Sequence, residues 1–136
     1  GCVEVYVSAT ALIGQTKAAM LADGDSEMSK YVGGNIDAVD GRTAFECEKK
    51  GDPAAKRVVD NYVTYLSESI MNMLNIFRPP VFILGGGISK EGKNLTERVT
   101  AYLEEFSYGY KFAPKTKIVT ATLGNDAGII GAAALV

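Results

Sequence analysis

The chain has 136 residues, 47% of them hydrophobic and 22% charged, which excludes disorder and leaves room for one hydrophobic core, so a single domain or part of one is expected. Fourteen basic against sixteen acidic residues give a formal charge of −2 without any basic cluster, and this excludes the electrostatic footprint of a nucleic-acid binder. No apolar run approaches a membrane span of about 18 residues, and no signal-peptide pattern opens the chain, so a cytoplasmic location is expected.

In chain order, the stretch Val3 to Asp23 starts with alternation at Val3, Val5 and Val7 and then turns helical through Ala11, Leu12, Ala18, Ala19, Leu21 and Ala22. Thr10 is the expected N-cap of that helix and Gly24 its stop. Residues 24–41 are polar and turn-rich, with Gly33, Gly34, Asn35 and Gly41, and read as a surface connection with one short extended stretch at Tyr31 and Val32. Asp40 then caps a helix carrying Ala44, Phe45 and Cys47, whose basic end at Lys49 and Lys50 suits the helix dipole. Asp52 caps again, and Pro53 takes the first helical position, where a missing N–H costs nothing.

The helix that follows is the most regular pattern in the chain. Ala54, Val58, Tyr62, Tyr65, Leu66, Ile70, Met73, Leu74 and Phe77 keep one face apolar until Arg78, Pro79 and Pro80 end it. Val81-Phe82-Ile83-Leu84 is a continuous apolar run expected to form a strand covered on both faces. Gly85-Gly86-Gly87 breaks it, Asn94 to Phe106 returns to helical spacing, and an aromatic loop, Tyr108 to Phe112, leads to a second strand at Lys117-Ile118-Val119-Thr120. A strand, crossover helix and strand predict a parallel, right-handed pair. After the turn Leu123-Gly124-Asn125-Asp126, Asp126 is expected to cap a last small-residue helix reaching Ala134.

The triple glycine lies between a strand and a helix, where a backbone without Cβ atoms can approach a phosphate or an adenosine closely. A glycine-rich turn without any ligand uses the same residues, and neither a full dinucleotide fingerprint nor a P-loop is present. Gly124-Asn125-Asp126-Ala127-Gly128 is a second strand-to-helix turn at the same carboxyl end of the pair, where open α/β sheets place ligands. Its plainer reading is a turn and cap, with Gly128 and Gly131 allowing close helix packing; Asp126 as a catalytic base is the less favoured one. The Tyr108 to Phe112 rings can stack on a base, although a surface loop pinned by its own rings is the commoner arrangement.

Two cysteines are too few for a disulfide framework. Cys47 reads as a small packing hydrophobe. Without histidine, the chain alone builds neither a His-based triad nor a His-containing metal site. Glu4 is out of place between Val3 and Val5 unless that position is solvated or functional.

Along nearly its whole length the chain resembles the C-terminal part of the ROK family of sugar kinases and sugar-responsive repressors. Gly1-Cys2-Val3-Glu4-Val5-Tyr6-Val7-Ser8 is similar to the end of that family's zinc signature, C-x-C-G-x-x-G-C-x-E, and the helix after it. Lys50-Gly51-Asp52 with the long helix, Pro79 to Gly87, and Ala121 to Gly128 followed by Gly131-Ala132-Ala133 match later landmarks in the same order.

The resemblance implies an α/β fold: the helix-rich C-terminal part of a ribonuclease H-like domain of the actin and sugar kinase type, with two parallel strands and a crossover helix. It implies a structural zinc ligand at Cys2, a sugar-binding carboxylate at Glu4, and adenosine-side glycines at Gly85, Gly86 and Gly87. It implies ATP with magnesium as the phosphoryl donor, a hexose as acceptor, homo-oligomers, no membrane partner, and no nucleic-acid partner unless the chain belongs to a repressor. No catalytic residue falls in the chain, since the family's catalytic aspartate and the rest of its zinc motif lie upstream.

Residues 1–136 are therefore expected to be one C-terminal fragment, inactive and unable to hold zinc by itself, because a tetrahedral site needs four ligands. The alternative is the sugar-sensing half of a ROK repressor, with an interaction domain that binds no small ligand as a third reading. Loss of an upstream neighbour would leave Val81 to Leu84 with an unpaired edge and make the isolated chain self-associate.

Overall fold

A computed structural model describes residues 1–135, with the side chains of all of these except Asn125 and Ala127. The chain divides into two compact units, Gly1–Ser69 and the residues from Ile70 onward.

The first unit is helical. Four residues, Glu4–Val7, form α1, and α2 (Ala9–Ala22) starts one residue later. Ser8 makes the break: its extended backbone lets the side chain accept the Ala11 N–H at 3.0 Å. The cap is thus Ser8 rather than Thr10, which lies inside α2, and the helix closes at Asp23, one residue before Gly24. Leu12, Thr16 and Met20 form the buried face of α2.

The connection after α2 is not the loop with an extended stretch that its composition predicts. Glu27–Tyr31 form α3, and Ile36–Ala38 make a 3-10 turn capped by Asn35. The reason lies at long range: Ser26 supplies no capping bond, and the Glu27 N–H is taken by the Asp52 carboxylate, 25 residues away. Composition around residues 24–34 carries no trace of that partner.

Asp40 works as expected in substance. Its Oδ1 accepts the N–H groups of Arg42 and Thr43 at 2.9 and 3.0 Å, while Thr43 Oγ1 accepts the Asp40 N–H, ahead of α4 (Thr43–Lys49). Burial pushes the Asp40 carboxyl up, but the hydrogen bonds from Arg42 and Thr43 and the Arg42 charge outweigh it and hold the group below its ordinary range. Asp52 Oδ1 accepts the N–H groups of Ala54 and Ala55 at 2.7 and 3.0 Å, starting α5 (Pro53–Phe77). Asp52 is almost wholly buried, so one carboxylate serves the starts of α3 and α5 at once.

Around α5 the first unit buries Phe45, Cys47, Ala55, Val59 and Tyr62 without residual exposure beyond 1%. Phe45 and Tyr62 meet edge to face with centroids 6.5 Å apart. Burial first, and the nearby Asp52 charge second, push the Cys47 thiol up, which suits the inert packing role expected of it. The α5 stripe does not stay covered to its end: Met73 and Phe77 are exposed, as is Ile76 beside them. Arg78 ends the helix with φ +40, the one positive φ among the described non-glycine residues, before Pro79.

In the second unit, β1 (Val81–Leu84) and β2 (Lys117–Thr120) pair in parallel, Val81 with Lys117 through Leu84 with Thr120. The ladder is extended at both ends by Lys117 N–H to Pro80 O at 2.9 Å and Ala121 N–H to Leu84 O at 2.8 Å. The crossover helix α6 (Lys93–Phe106) buries Leu95, Val99 and Leu103. Leu84 and Ile118 are buried as well, but Val81 and Ile83 stand exposed. Strand β1 is therefore covered on one face, not both, because successive side chains alternate across the strand: Phe82 and Leu84 lie on the covered side, Val81 and Ile83 on the open one.

Of the loop after α6, Tyr110 is buried and pinned beneath Lys115, whose Nζ lies 5.7 Å from the ring centre and 3.0 Å from Glu104. Tyr108 and Phe112 are exposed. The last element, α7 (Ala127–Ala133), follows a 3-10 turn, Gly124–Asp126. Asp126 makes no capping bond, because its own backbone is already helical and the carboxylate is not set back to reach the first N–H groups of α7. A Cβ at Gly128 or Gly131 would meet nothing within 4 Å, so close packing is not what those glycines provide among the described residues.

Candidate functional site

Glu4 occupies the first turn of α1, exposed, with Cys2 exposed just before it. The Cys2 carbonyl accepts the Val5 N–H at 3.1 Å, so the cysteine backbone is part of the turn that carries Glu4. A carboxylate in a first helical turn is favourable on electrostatic grounds alone, which is the plain reading of Glu4. What distinguishes the segment is how it is held.

A helix of four residues cannot pay the entropy of its own nucleation. Three side chains from elsewhere in the unit hold it. Tyr62 donates its hydroxyl to the Val7 carbonyl at 2.7 Å, Gln15 donates its amide to the Tyr6 carbonyl at 3.0 Å, and the Tyr65 ring lies against Tyr6 with centroids 4.9 Å apart. Sequence reasoning read Tyr62 and Tyr65 only as members of an apolar stripe. The available signal was their chemistry, since a buried tyrosine ordinarily finds a partner for its hydroxyl.

Cys2 offers one thiolate. Cys47 is buried in the core, and no group of three His, Cys, Asp or Glu side chains among the described residues has the arrangement of a metal site. The residues present thus do not fit a tetrahedral zinc by themselves.

In the second unit, the register brings the two glycine-bearing turns together. Leu84 and Thr120 are partners, so Gly85-Gly86-Gly87 and Gly124-Asn125-Asp126 both leave the carboxyl end of the parallel pair. Gly86 has φ +76, a conformation that excludes other residues without strain. A Cβ at Gly85, Gly86 or Gly87 would meet no atom within 4 Å, so the space in front of the turn is open. The Gly86 carbonyl is engaged by the Ser89 hydroxyl at 2.7 Å, which fixes the turn's shape. The arrangement offers a rigid, side-chain-free backbone surface to a flat or anionic group.

The model of the ROK family matches residues 1–136. The chain belongs to the ROK family. Among the ROK relatives, a glucokinase from Thermotoga maritima is 30% identical over 144 aligned residues, covering 100% of this chain and 42% of the relative. A glucokinase from Halalkalibacterium halodurans is 31% identical, covering 100% of this chain and 41% of its own length. Among solved structures, a ROK family glucokinase from Streptomyces griseus, in complex with glucose and AMPPNP, superposes with a TM-score of 0.86 at 28% identity over 99% of this chain and 44% of that one. The chain thus spans less than half the length of the relatives it matches. The ROK likeness establishes the α/β fold as part of the actin-like sugar kinase type, in agreement with the sequence-based expectation. No helix among the described residues is long and apolar enough to cross a membrane.

Proposed function

We propose that the intact protein transfers the γ-phosphoryl group of ATP to a hydroxyl of a hexose, and that this chain supplies part of the sugar and adenosine sites. The observation that carries the reading is the match to glucokinases over 100% of the chain. The Streptomyces griseus relative, solved with glucose and a nucleotide analogue, supports a sugar and a nucleotide as the two ligands.

In this reading Glu4 accepts hydrogen bonds from sugar hydroxyls and fixes the ring for in-line attack, and the backbone of Gly85, Gly86 and Gly87 lies along the adenosine. Cys2 gives one ligand to a structural zinc whose other ligands lie outside these residues. Magnesium accompanies the nucleotide, and none of this chain's carboxylates is assigned to it. The aspartate that accepts the hydroxyl proton also lies outside these residues, so residues 1–136 alone form one C-terminal piece without turnover. Positioning and exclusion of water then account for most of the acceleration.

The test is sugar-dependent ATP turnover by the intact, zinc-loaded protein over a panel of hexoses and N-acetylhexosamines, with Glu4→Gln alongside. A charge-assisted hydrogen bond contributes about 1.5–3 kcal/mol, so Glu4→Gln should raise the sugar KM roughly 10- to 100-fold. Unchanged kinetics would remove Glu4 from the site, and silence on every sugar would favour a sugar-sensing repressor.

A further inference from the structure

We infer that Tyr62 is a positioning residue for the sugar site: its hydroxyl, by holding the Val7 carbonyl, fixes α1 and with it the Glu4 carboxylate. The inference rests on the reading of Glu4 as a sugar contact.

The last carbonyls of any helix lack intrahelical partners, and a four-residue helix consists almost entirely of such ends. Val7 O is one of these, and the Tyr62 hydroxyl satisfies it at 2.7 Å. Glu4 lies one turn away on the same short helix, so whatever sets the Val7 end sets the direction of the Glu4 end as well.

Tyr62 is suited to act as a fixed post. Its residue is 1% exposed, its ring is locked edge-on against the fully buried Phe45, and it rises from the middle of the 25-residue α5. Burial pushes its hydroxyl up to about 12, so it remains a donor at any working pH. The two other restraints differ in kind. Gln15 is partly exposed, and the Tyr6–Tyr65 contact constrains a side chain but not the helix backbone.

The experiment compares Tyr62→Phe and Glu4→Gln in the intact protein, reading sugar KM, ATP KM, kcat and amide hydrogen exchange. Tyr62→Phe keeps the ring and removes only the hydroxyl. The expected result is faster exchange at residues 4–8, unchanged protection in the middle of α5, and a sugar KM raised about 3- to 10-fold, with kcat and ATP KM within about twofold of the parent. A purely structural role would instead lower protection throughout the unit and affect both substrates alike, and that pattern overturns the proposal. So does unchanged exchange at residues 4–8, or a freed α1 with an unaltered sugar KM in a protein where Glu4→Gln raises it. A silent Glu4→Gln marks a different failure: the sugar reading of Glu4 falls, and the positioning role falls with it.

Discussion

The two compact units treat their apolar residues in opposite ways. From Gly1 to Ser69 the large apolar side chains left exposed are Val3, Val5, Tyr6, Leu21 and Tyr31, while Leu12, Met28, Phe45, Val59 and Tyr62 are closed off. From Ile70 onward, among the described residues, only Leu95, Val99 and Leu103 reach full burial, and Met73, Ile76, Phe77, Val81, Ile83, Phe106, Tyr108, Phe112, Leu123, Ile129, Ile130 and Leu135 are exposed. In the first unit α5 buries Val59 and Tyr62 with Phe45 of α4 against them, whereas in the second the outward residues of β1, Val81 and Ile83, are left without cover. The first unit is a closed core and the second is an open layer.

The sharpest way to break that contrast is to remove one ring from each unit. Phe45→Ala should cost about 3–5 kcal/mol in denaturant unfolding, and Phe112→Ala, at a ring 95% exposed, within about 0.5 kcal/mol. A large loss from Phe112→Ala would show that the open layer is closed in solution.

The next largest effect is alkaline and belongs to the closed core alone. The Tyr62 hydroxyl titrates near its ordinary value of 10.0 in the unfolded chain but is pushed up to about 12 by burial in the folded one. Its contribution is therefore complete below pH 10.0 and is lost as pH rises towards 12, at a slope that sums to about 2–3 kcal/mol. Stability measured from neutral to alkaline pH should fall in this window, and the Tyr62→Phe protein should lose that component. Equal slopes for the two proteins would place the hydroxyl in contact with water.

The smallest effect on stability, and the largest on association, concerns the open layer. We expect the isolated chain to self-associate through the exposed strand β1, and Ile83→Lys to suppress this while shifting unfolding by no more than about 0.5 kcal/mol. Sedimentation at increasing concentration reads the outcome; a parent chain that stays monomeric contradicts the expectation.

These differences also explain what the amino-acid order could and could not convey. The long helix, both strands and the glycine turn follow from local patterns: a 3.6-residue stripe, prolines at 79 and 80, and two β-rich runs. Asp40 and Asp52 were readable as caps because each bonds N–H groups two or three residues ahead. The second duty of Asp52, taking the Glu27 N–H and so starting α3, depends on a partner 25 residues away and leaves no local mark. Ser8 displaced Thr10 as the cap because a four-residue helix ahead of it forced the break earlier. The exposure of Val81 and Ile83 was hidden for the opposite reason: an apolar run announces that a strand is suited to burial, and says nothing of how many layers arrive to bury it. At the candidate site, Cys2, Glu4 and the three glycines are singled out by family likeness alone, and the tyrosine that holds α1 was masked by the apolar stripe around it.

The length of α6 acts as a ruler. Its fourteen residues, at about 1.5 Å each, measure about 21 Å, against about 13 Å for a four-residue strand. One end of this ruler follows the glycine turn by way of a 3-10 helix, Gly87–Glu91, and the other leads into the loop that carries Tyr108 and Phe112. The two exposed rings therefore sit beyond the amino end of β2, while the open space above Gly85, Gly86 and Gly87 lies past the carboxyl end of β1. Contacts made at the glycine turn and contacts made by the aromatic loop therefore belong to opposite ends of the parallel pair.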